Sequence, residues 1–235
     1  MTQGLQYNLR LWNFIFMKKI NDNLKEYYAK RATEYDKIYA RNVLVRLEEQ
    51  KRISAHLQKS FQNRYVLEVA CGTGYWTQFL IKHARQVLAT DINQEMLEVA
   101  IKTVHDSSLQ FLICDAYEPP ISVPQFSGAM ANFWISHVPK KHLKEFLATF
   151  HSRLSRGATV VFVDSVYRGE LGGTLIKKKG SQDTWKERTL ETREKYTILK
   201  NYYSKEELTK LFSPYTNHLH VEYMTHFWMV SYILK

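Results

Sequence analysis

The chain has 235 residues, 45% of them hydrophobic and 24% charged, with a net charge of +10. That composition excludes a disordered chain, because it carries enough aliphatic and aromatic surface to bury a core, and it suits one compact domain with a small elaboration. There are only two cysteines, Cys71 and Cys114, both in apolar runs. No disulfide framework is therefore expected, and a reducing cytoplasm fits best. The apolar stretch LWNFIFMKKI, Leu11 to Ile20, is too short to span a bilayer, and its charges follow the apolar run, the wrong order for a secretory signal.

The charge is unevenly placed. Residues 1–60 hold 12 Lys/Arg against 6 Asp/Glu, residues 165–200 hold 9 against 5, and the rest of the chain balances at 12 against 12. Such an excess is either a solvated surface or an attraction for an anionic substrate, an RNA or an acidic surface. In chain order, residues 24–39 place Leu24, Tyr28, Arg31, Tyr35 and Ile38 at helical spacing, and residues 42–59 continue with Leu44, Leu47 and Ile53, which predicts two helices. Tyr65–Ala70 is a short apolar strand, followed by a glycine loop and a helix over 75–83. Gln86–Thr90 is a second strand ending at Asp91, and Asn93 is placed to cap a helix whose apolar face is Met96, Leu97, Ala100, Ile101 and Val104. Leu109–Cys114 and Ser127–Ala131 read as the third and fourth strands. Lys140–Leu154 is an amphipathic helix ended by Gly157, and Ala158–Val163 is the fifth strand. Residues 165–200 break this rhythm, Ser204 caps a further helix, and Leu219–Met224 with Phe227–Leu234 form two closing strands. Alternation of this kind predicts an α/β, doubly wound, mostly parallel sheet.

The chemistry is concentrated in Glu68-Val-Ala-Cys-Gly72-Thr-Gly74, between a strand and a helix, where doubly wound sheets bind ligands. Glycines there allow close backbone approach, and the helix start offers free N–H groups. The third glycine of a nicotinamide fold is replaced by Thr77, and the Gly-Lys-Ser/Thr of a P-loop is absent. The loop suits a ligand with a carboxylate, a ribose and an adenine better than a pyrophosphate. Acidic residues then recur in register: Glu68 in the first loop, Asp91 at the second strand end, Asp115 at the third. Asp91 is placed to accept ribose hydroxyls, Asp115 an adenine amino group, and Glu68 the amino-acid end of the ligand, directly or through water.

VLEVACGTGYWT, VLATDINQEML, FLICDAYEPP and FWISHVP, in this order and spacing, resemble the class I S-adenosylmethionine-dependent methyltransferases. The resemblance covers about residues 25–235 and is most specific over 65–164; YYAKRATEYDKIYAR is similar to the cofactor-capping helix of the small-molecule branch. It implies a Rossmann-like methyltransferase fold of seven strands with the last antiparallel, S-adenosylmethionine as cofactor and S-adenosylhomocysteine as product. One departure is Ser127, where relatives often carry Asp. On this resemblance the cofactor candidates are Tyr28, Tyr35, Glu68, Gly72, Gly74, Asp91, Ile92, Met96, Asp115, Ala116, Asn132 and Phe133, while Trp76 reads as packing. His137, beside the expected methyl position, is the candidate general base, with helix capping as its alternative role. No dense cluster of metal ligands is visible, and none is expected.

The chain is thereby divided into N-terminal cap helices (1–60), a cofactor core (61–164), a substrate-covering insertion (165–200) and a closing helix and strands (201–235), all in one methyltransferase domain. Asn132 lies outside any Asn-Pro-Pro-Tyr motif, which argues against methylation of exocyclic base nitrogens or glutamine amides. The expected reaction is N- or O-methylation of a small polar or anionic acceptor by a monomer or homodimer with no membrane span. The alternatives are an RNA or protein methyltransferase, with nucleic acid the less favoured partner, or a non-catalytic S-adenosylmethionine-binding subunit. Met17 is a candidate natural start, and residues 1–16 are expected to pack as an extra helical turn against the N-terminal helices.

Overall fold

The computed structural model describes residues 22–39, 43–169 and 174–235. The expectations for Met17 and for residues 1–16 lie outside the described residues. Helix α1 (residues 22–31) runs into a tighter 3-10 turn at Ala32–Ile38, and α2 (Leu44–Ser60) follows. Strand–helix alternation then gives β1 (Tyr65–Val69), α3 (Thr77–Leu80), β2 (Gln86–Asp91), α4 (Gln94–Thr103), β3 (Leu109–Ile113), β4 (Phe126–Asn132), α5 (Leu143–His151) and β5 (Leu154–Ser165). Three short strands, β6 (Leu175–Lys177), β7 (Thr184–Thr189) and β8 (Lys195–Leu199), precede α6 (Lys205–Phe212), β9 (Leu219–Tyr223) and β10 (Phe227–Ile233).

The main sheet has seven strands in the order β3-β2-β1-β4-β5-β10-β9. The first five strands run parallel, and β10 is antiparallel to both of its neighbours. The order reverses between β1 and β4, which opens a crevice at the carboxyl ends of these strands. Alternate strand residues feed two cores. Ala129, Ala131, Val160 and Phe162 meet Phe146, Phe150, Leu208 and Phe212 of α5 and α6. Met130, Val161 and Val163 meet Ile53 and Leu57 of α2 on the other face. Each large apolar side chain so buried contributes about 1.5–3 kcal/mol. Glu49 of α2 is buried, and its carboxylate accepts the backbone N–H groups of Thr225, His226 and Phe227 at 2.8, 2.9 and 3.2 Å, fixing the β9–β10 turn to that helix. At the Asp-to-Ser departure, the Ser127 hydroxyl accepts the Tyr65 N–H at 3.0 Å, so the position joins β4 to β1.

Several elements differ from expectation. The helix after the glycine loop is the single turn α3, flanked by turns. The amphipathic helix begins with a 3-10 turn at Lys140–His142 and ends at His151, so Gly157 is not its cap. Gly157 (φ +79°) instead lies inside β5, where pairing with β4 jumps from Phe126–Leu154 to Gly128–Thr159. That irregularity hides the early half of β5 from its hydrophobic pattern. Asn93 occupies the cap position of α4 but gives no side-chain cap; Asp91 Oδ1 accepts the Asn93 N–H at 2.9 Å instead. Cys71 and Cys114 are free thiols just past the ends of β1 and β3. The largest difference is in residues 165–200, where β6, β7 and β8 form a separate three-stranded antiparallel sheet. Among the described residues, no helix is long and apolar enough to cross a membrane.

Candidate active site

The glycine loop leaves β1 through Ala70, Cys71 and Gly72. Gly72 has φ +59° and open space where a Cβ would stand, whereas a Cβ on Gly74 (φ +81°) would come 3.0 Å from Val104 and 3.2 Å from Ala100 of the α4 segment. One glycine thus leaves room in the crevice, and the other allows close packing behind it. Asp91 locks the loop: its Oδ2 accepts the Gly72 N–H at 2.9 Å, while Oδ1 takes Asn93. Burial raises the Asp91 carboxyl above its ordinary value, opposed by these backbone donors.

The carboxyl ends of β1, β2, β3 and β4 open onto a cavity of about 720 Å³, counting the space at its mouth. Tyr28, Tyr35, Gly72, Asp91, Ile92, Met96, Asp115, Ala116, Asn132, Phe133 and His137 all line it. Glu68 and Gly74 stand behind that wall. Glu68 is buried, accepts the Thr77 hydroxyl at 2.7 Å, and is pushed up to about 8 by burial and by nearby Asp91, against the effect of Thr77. Trp76 packs in the core beside Phe133, their rings 6.1 Å apart. The wall also includes Leu24, Lys25, Ala70, Asn93, Cys114 and Trp134, which sequence reasoning did not single out. Four of these adjoin a motif residue; Leu24 and Lys25 come from α1, where Leu24 reads only as part of a helical apolar spacing and Lys25 belongs to no pattern.

The lining fits S-adenosylmethionine. Two carboxylates stand on one wall, with Ile92, Met96 and Ala116 as apolar surface for a flat base. The Asn93 and Asn132 side-chain oxygens are buried and accept no hydrogen bond among the described residues, so each has an acceptor to offer. Phe133 adopts φ +58°, an unusual backbone for an aromatic residue, at the point where β4 turns out of the sheet.

His137 is buried on the 3-10 turn Ile135–His137. Its Nδ1 lies 2.7 Å from the carbonyl of Leu199 in β8, and its Nε2 lies 2.8 Å from the Tyr28 hydroxyl. A carbonyl only accepts, so Nδ1 carries the proton and Nε2 accepts from Tyr28. Burial, with Lys200 adding to it, lowers His137 to about 3, leaving a neutral imidazole whose Nε2 lone pair accepts the tyrosine hydroxyl. The expected helix-capping role is absent, because the Lys140 N–H is donated to Asp183 at 2.8 Å.

The insertion sheet is pinned beside this turn. Lys200 Nζ donates to Asp164 at 2.9 Å and to Ser136 at 2.6 Å, and Asn201 N–H donates to the Ser136 carbonyl at 2.7 Å. Helix α1 covers the sheet's other side: Leu24 and Tyr27 pack with Leu190, Tyr196 and Ile198, and Asn23 donates to the Thr197 carbonyl at 2.8 Å. Beside the first cavity lies a second of about 1010 Å³, which shares Tyr28, Tyr35, Phe133 and His137 with it.

Strand order, glycine loop and acidic strand ends define a nucleoside-cofactor protein with a Rossmann-like methyltransferase fold. Residues 66–157 match a family described as "Methyltransferase domain". A malonyl-[acyl-carrier protein] O-methyltransferase of Hamiltonella defensa subsp. Acyrthosiphon pisum (strain 5AT) is 32% identical over 107 residues, which is 46% of this chain and spans 40% of that relative's length. The solved structure of a DhpI–SAH complex is 26% identical with a TM-score of 0.70, covering 90% of this chain and 95% of the other. A Burkholderia thailandensis 1,6-didemethyltoxoflavin-N1-methyltransferase shares the fold at 15% identity, with a TM-score of 0.62 over 93% of this chain and 90% of its own. Over 90% of its length the chain thus shares the Rossmann-like methyltransferase fold of a structure solved with S-adenosylhomocysteine, and its residues 66–157 match a methyltransferase domain.

Proposed function

We propose that this chain methylates a nitrogen or oxygen of a small polar or anionic acceptor, which occupies the second cavity. The observation that carries the reading is the shared wall: Tyr28, Tyr35, Phe133 and His137 face both cavities, so acceptor and cofactor meet there. When bound, S-adenosylmethionine supplies an electrophilic methyl on a positively charged sulfur. The chain's own contribution is alignment and exclusion of water. Asp91 receives the ribose hydroxyls, Asp115 the adenine amino group, and Asn132 and Gly72 the amino-acid end. Tyr28 and Tyr35 close the methyl side. His137, with its basicity suppressed and its lone pair on Tyr28, holds that hydroxyl in place instead of stripping a proton from the acceptor itself. The acceptor atom therefore attacks unprotonated, or sheds its proton to solvent after attack.

The acceptors named for similar proteins, a malonyl group on a carrier protein and 1,6-didemethyltoxoflavin, support a small acceptor group. The test is incubation with methyl-labelled cofactor and fractionated metabolites. Label transfer into a small molecule, with release of S-adenosylhomocysteine, is the expected result. Label appearing only in RNA, or on protein side chains and not on a small group borne by a carrier, would refute the acceptor class. Tight S-adenosylhomocysteine binding with no transfer to any fraction would favour a non-catalytic subunit.

A further inference from the structure

The charge excess of the two outlying segments has a destination. Arg31 from α1, Arg46 from α2, Arg168 from the β5–β6 connection, Lys186 and Arg188 from β7 and Lys200 after β8 all line the second cavity, and no Asp or Glu is among its lining residues. These cations come from five separate stretches of chain, so helical or strand periodicity alone does not gather them. They turn inward to one chamber instead of spreading over a face, which distinguishes a built site from a solvated surface.

Two members make the case sharper. Lys186 is 1% exposed, yet among the described residues it pairs with no carboxylate; its ammonium lies 5.2 Å from the ring centres of both Tyr167 and Tyr202. Burial, with Arg188 and Lys200 nearby, draws it down to about 8. Arg188 sits two residues on, on the same face of β7, and its Nε is buried with no hydrogen-bond partner among the described residues. A buried donor without an acceptor is costly, and a cation buried without an anion more so. Lys200, by contrast, already holds Asp164, and Arg31 donates to the Tyr27 hydroxyl at 2.8 Å.

We infer that the second cavity is an anion clamp, in which Lys186 and Arg188, with Arg31 beside them, hold a doubly charged oxyanion group of the methyl acceptor. The inference rests on the acceptor reading above and narrows it to small molecules carrying a phosphoryl-type group or paired carboxylates. An arginine fork and a lysine point charge suit such a group, because several charge-assisted hydrogen bonds converge on it. The anion also offsets the positive charge that a sulfonium and this cluster would otherwise place together. Because Tyr28 and His137 line both cavities, the group held there lies next to the reacting face.

The test titrates inorganic phosphate into the S-adenosylhomocysteine-loaded protein by calorimetry, against chloride at matched ionic strength to remove general screening. The variants are Arg188→Gln and Lys186→Met. The second keeps the aliphatic stem between the two tyrosines and removes only the charge, so it stays folded even if the first does not. Saturable phosphate binding, weakened at least tenfold in each folded variant while S-adenosylhomocysteine affinity stays within twofold, is the expected result. Malonate in place of phosphate distinguishes paired carboxylates from a phosphoryl group, and the same dependence on Lys186 and Arg188 for either one supports the clamp. No saturable binding of phosphate or malonate by the wild type, or binding unchanged in both variants, overturns it. A short oligoribonucleotide displacing phosphate at a hundredfold lower concentration would overturn the small-molecule class in favour of RNA. If the wild type fails to bind S-adenosylhomocysteine, the cofactor assignments fail instead, and phosphate titrated into the unloaded protein still reads the clamp.

Discussion

Asp91→Ala should remove more than the proposed ribose contact. In the folded chain both carboxylate oxygens accept backbone donors, Gly72 N–H and Asn93 N–H, each at 2.9 Å. Truncation leaves two donors without this acceptor, beside the turn that holds Gly72 at φ +59°. Each lost hydrogen bond to a charged group is worth about 1.5–3 kcal/mol, and water entering the crevice recovers part of it. Stability should therefore fall by about 2–4 kcal/mol. Affinity for S-adenosylhomocysteine should fall by a further 2–4 kcal/mol or so, about 30- to 700-fold, as the ribose acceptors are lost and the loop loosens. Thermal denaturation and calorimetry of the same preparations separate the two effects. Asp91→Asn should recover part of both, since one oxygen remains to accept while its amide faces one of the two N–H groups. Cofactor affinity within threefold of wild type in folded Asp91→Ala would refute the ribose assignment and the loop argument together.

Tyr28→Phe and His137→Gln should lower kcat by similar factors and combine with less than additive effect, because they break one hydrogen bond from its two ends; additive losses in a double-mutant cycle would separate their roles. His137 is lowered in the fold to about 3 from an ordinary 6.5, so as pH falls through that window the unfolded chain binds a proton that the native chain does not. Stability is then lost below about pH 6.5, on the order of 4 kcal/mol by pH 3, and chemical denaturation of His137→Gln across this range should show a shallower loss. Glu68 has the opposite sign: raised from 4.5 to about 8, it binds a proton in the native state first, so it favours folding at acid pH and its contribution is lost between about pH 4.5 and 8. Glu68→Gln should therefore gain stability over wild type as pH rises through that window, measured by thermal midpoint at each pH. Gly74→Ala should cost at least 2 kcal/mol or so by denaturant titration, from its positive φ and from contact with Val104 and Ala100.

The cavity wall was legible where its parts are local. A strand, two glycines and an acidic residue at each of the next strand ends follow one another in sequence, so position along the chain translates directly into position along the crevice. The insertion sheet was not legible, for a physical reason. In β7, Thr184–Thr189, Lys186 is buried next to buried Trp185, so the inward and outward sides do not separate into apolar and polar residues. Strand β6 is only three residues long, too short for periodicity to register. Lys200 is buried on Asp164, and Glu49 of α2 is buried on a turn 176 residues away, although lysine and glutamate are ordinarily exposed. In each case tertiary partners decide what the residue type alone argues against.

The suppressed basicity of His137 follows from its surroundings and constrains the reaction. Lys200 and Arg188 lie close enough to disfavour a proton on the ring, Asp164 is already shared with Lys200, and burial removes water that could stabilise an imidazolium. A charged histidine would also stand on the wall between the first cavity, proposed above to receive the sulfonium, and a chamber lined by six cationic side chains. The neutral tautomer avoids that charge and, by donating Nδ1–H to Leu199, ties the reacting face to β8 of the insertion sheet. The same strand packs on α1 through Ile198, with Leu24 and Tyr27, so the helix that carries Tyr28 and the sheet that carries Lys186 and Arg188 form one connected cover. On the proposed reading, cofactor and acceptor would be positioned by that one cover. An oxyanion held in the chamber, as inferred above, would supply the negative charge that its lining residues lack, on the side of the wall away from the first cavity.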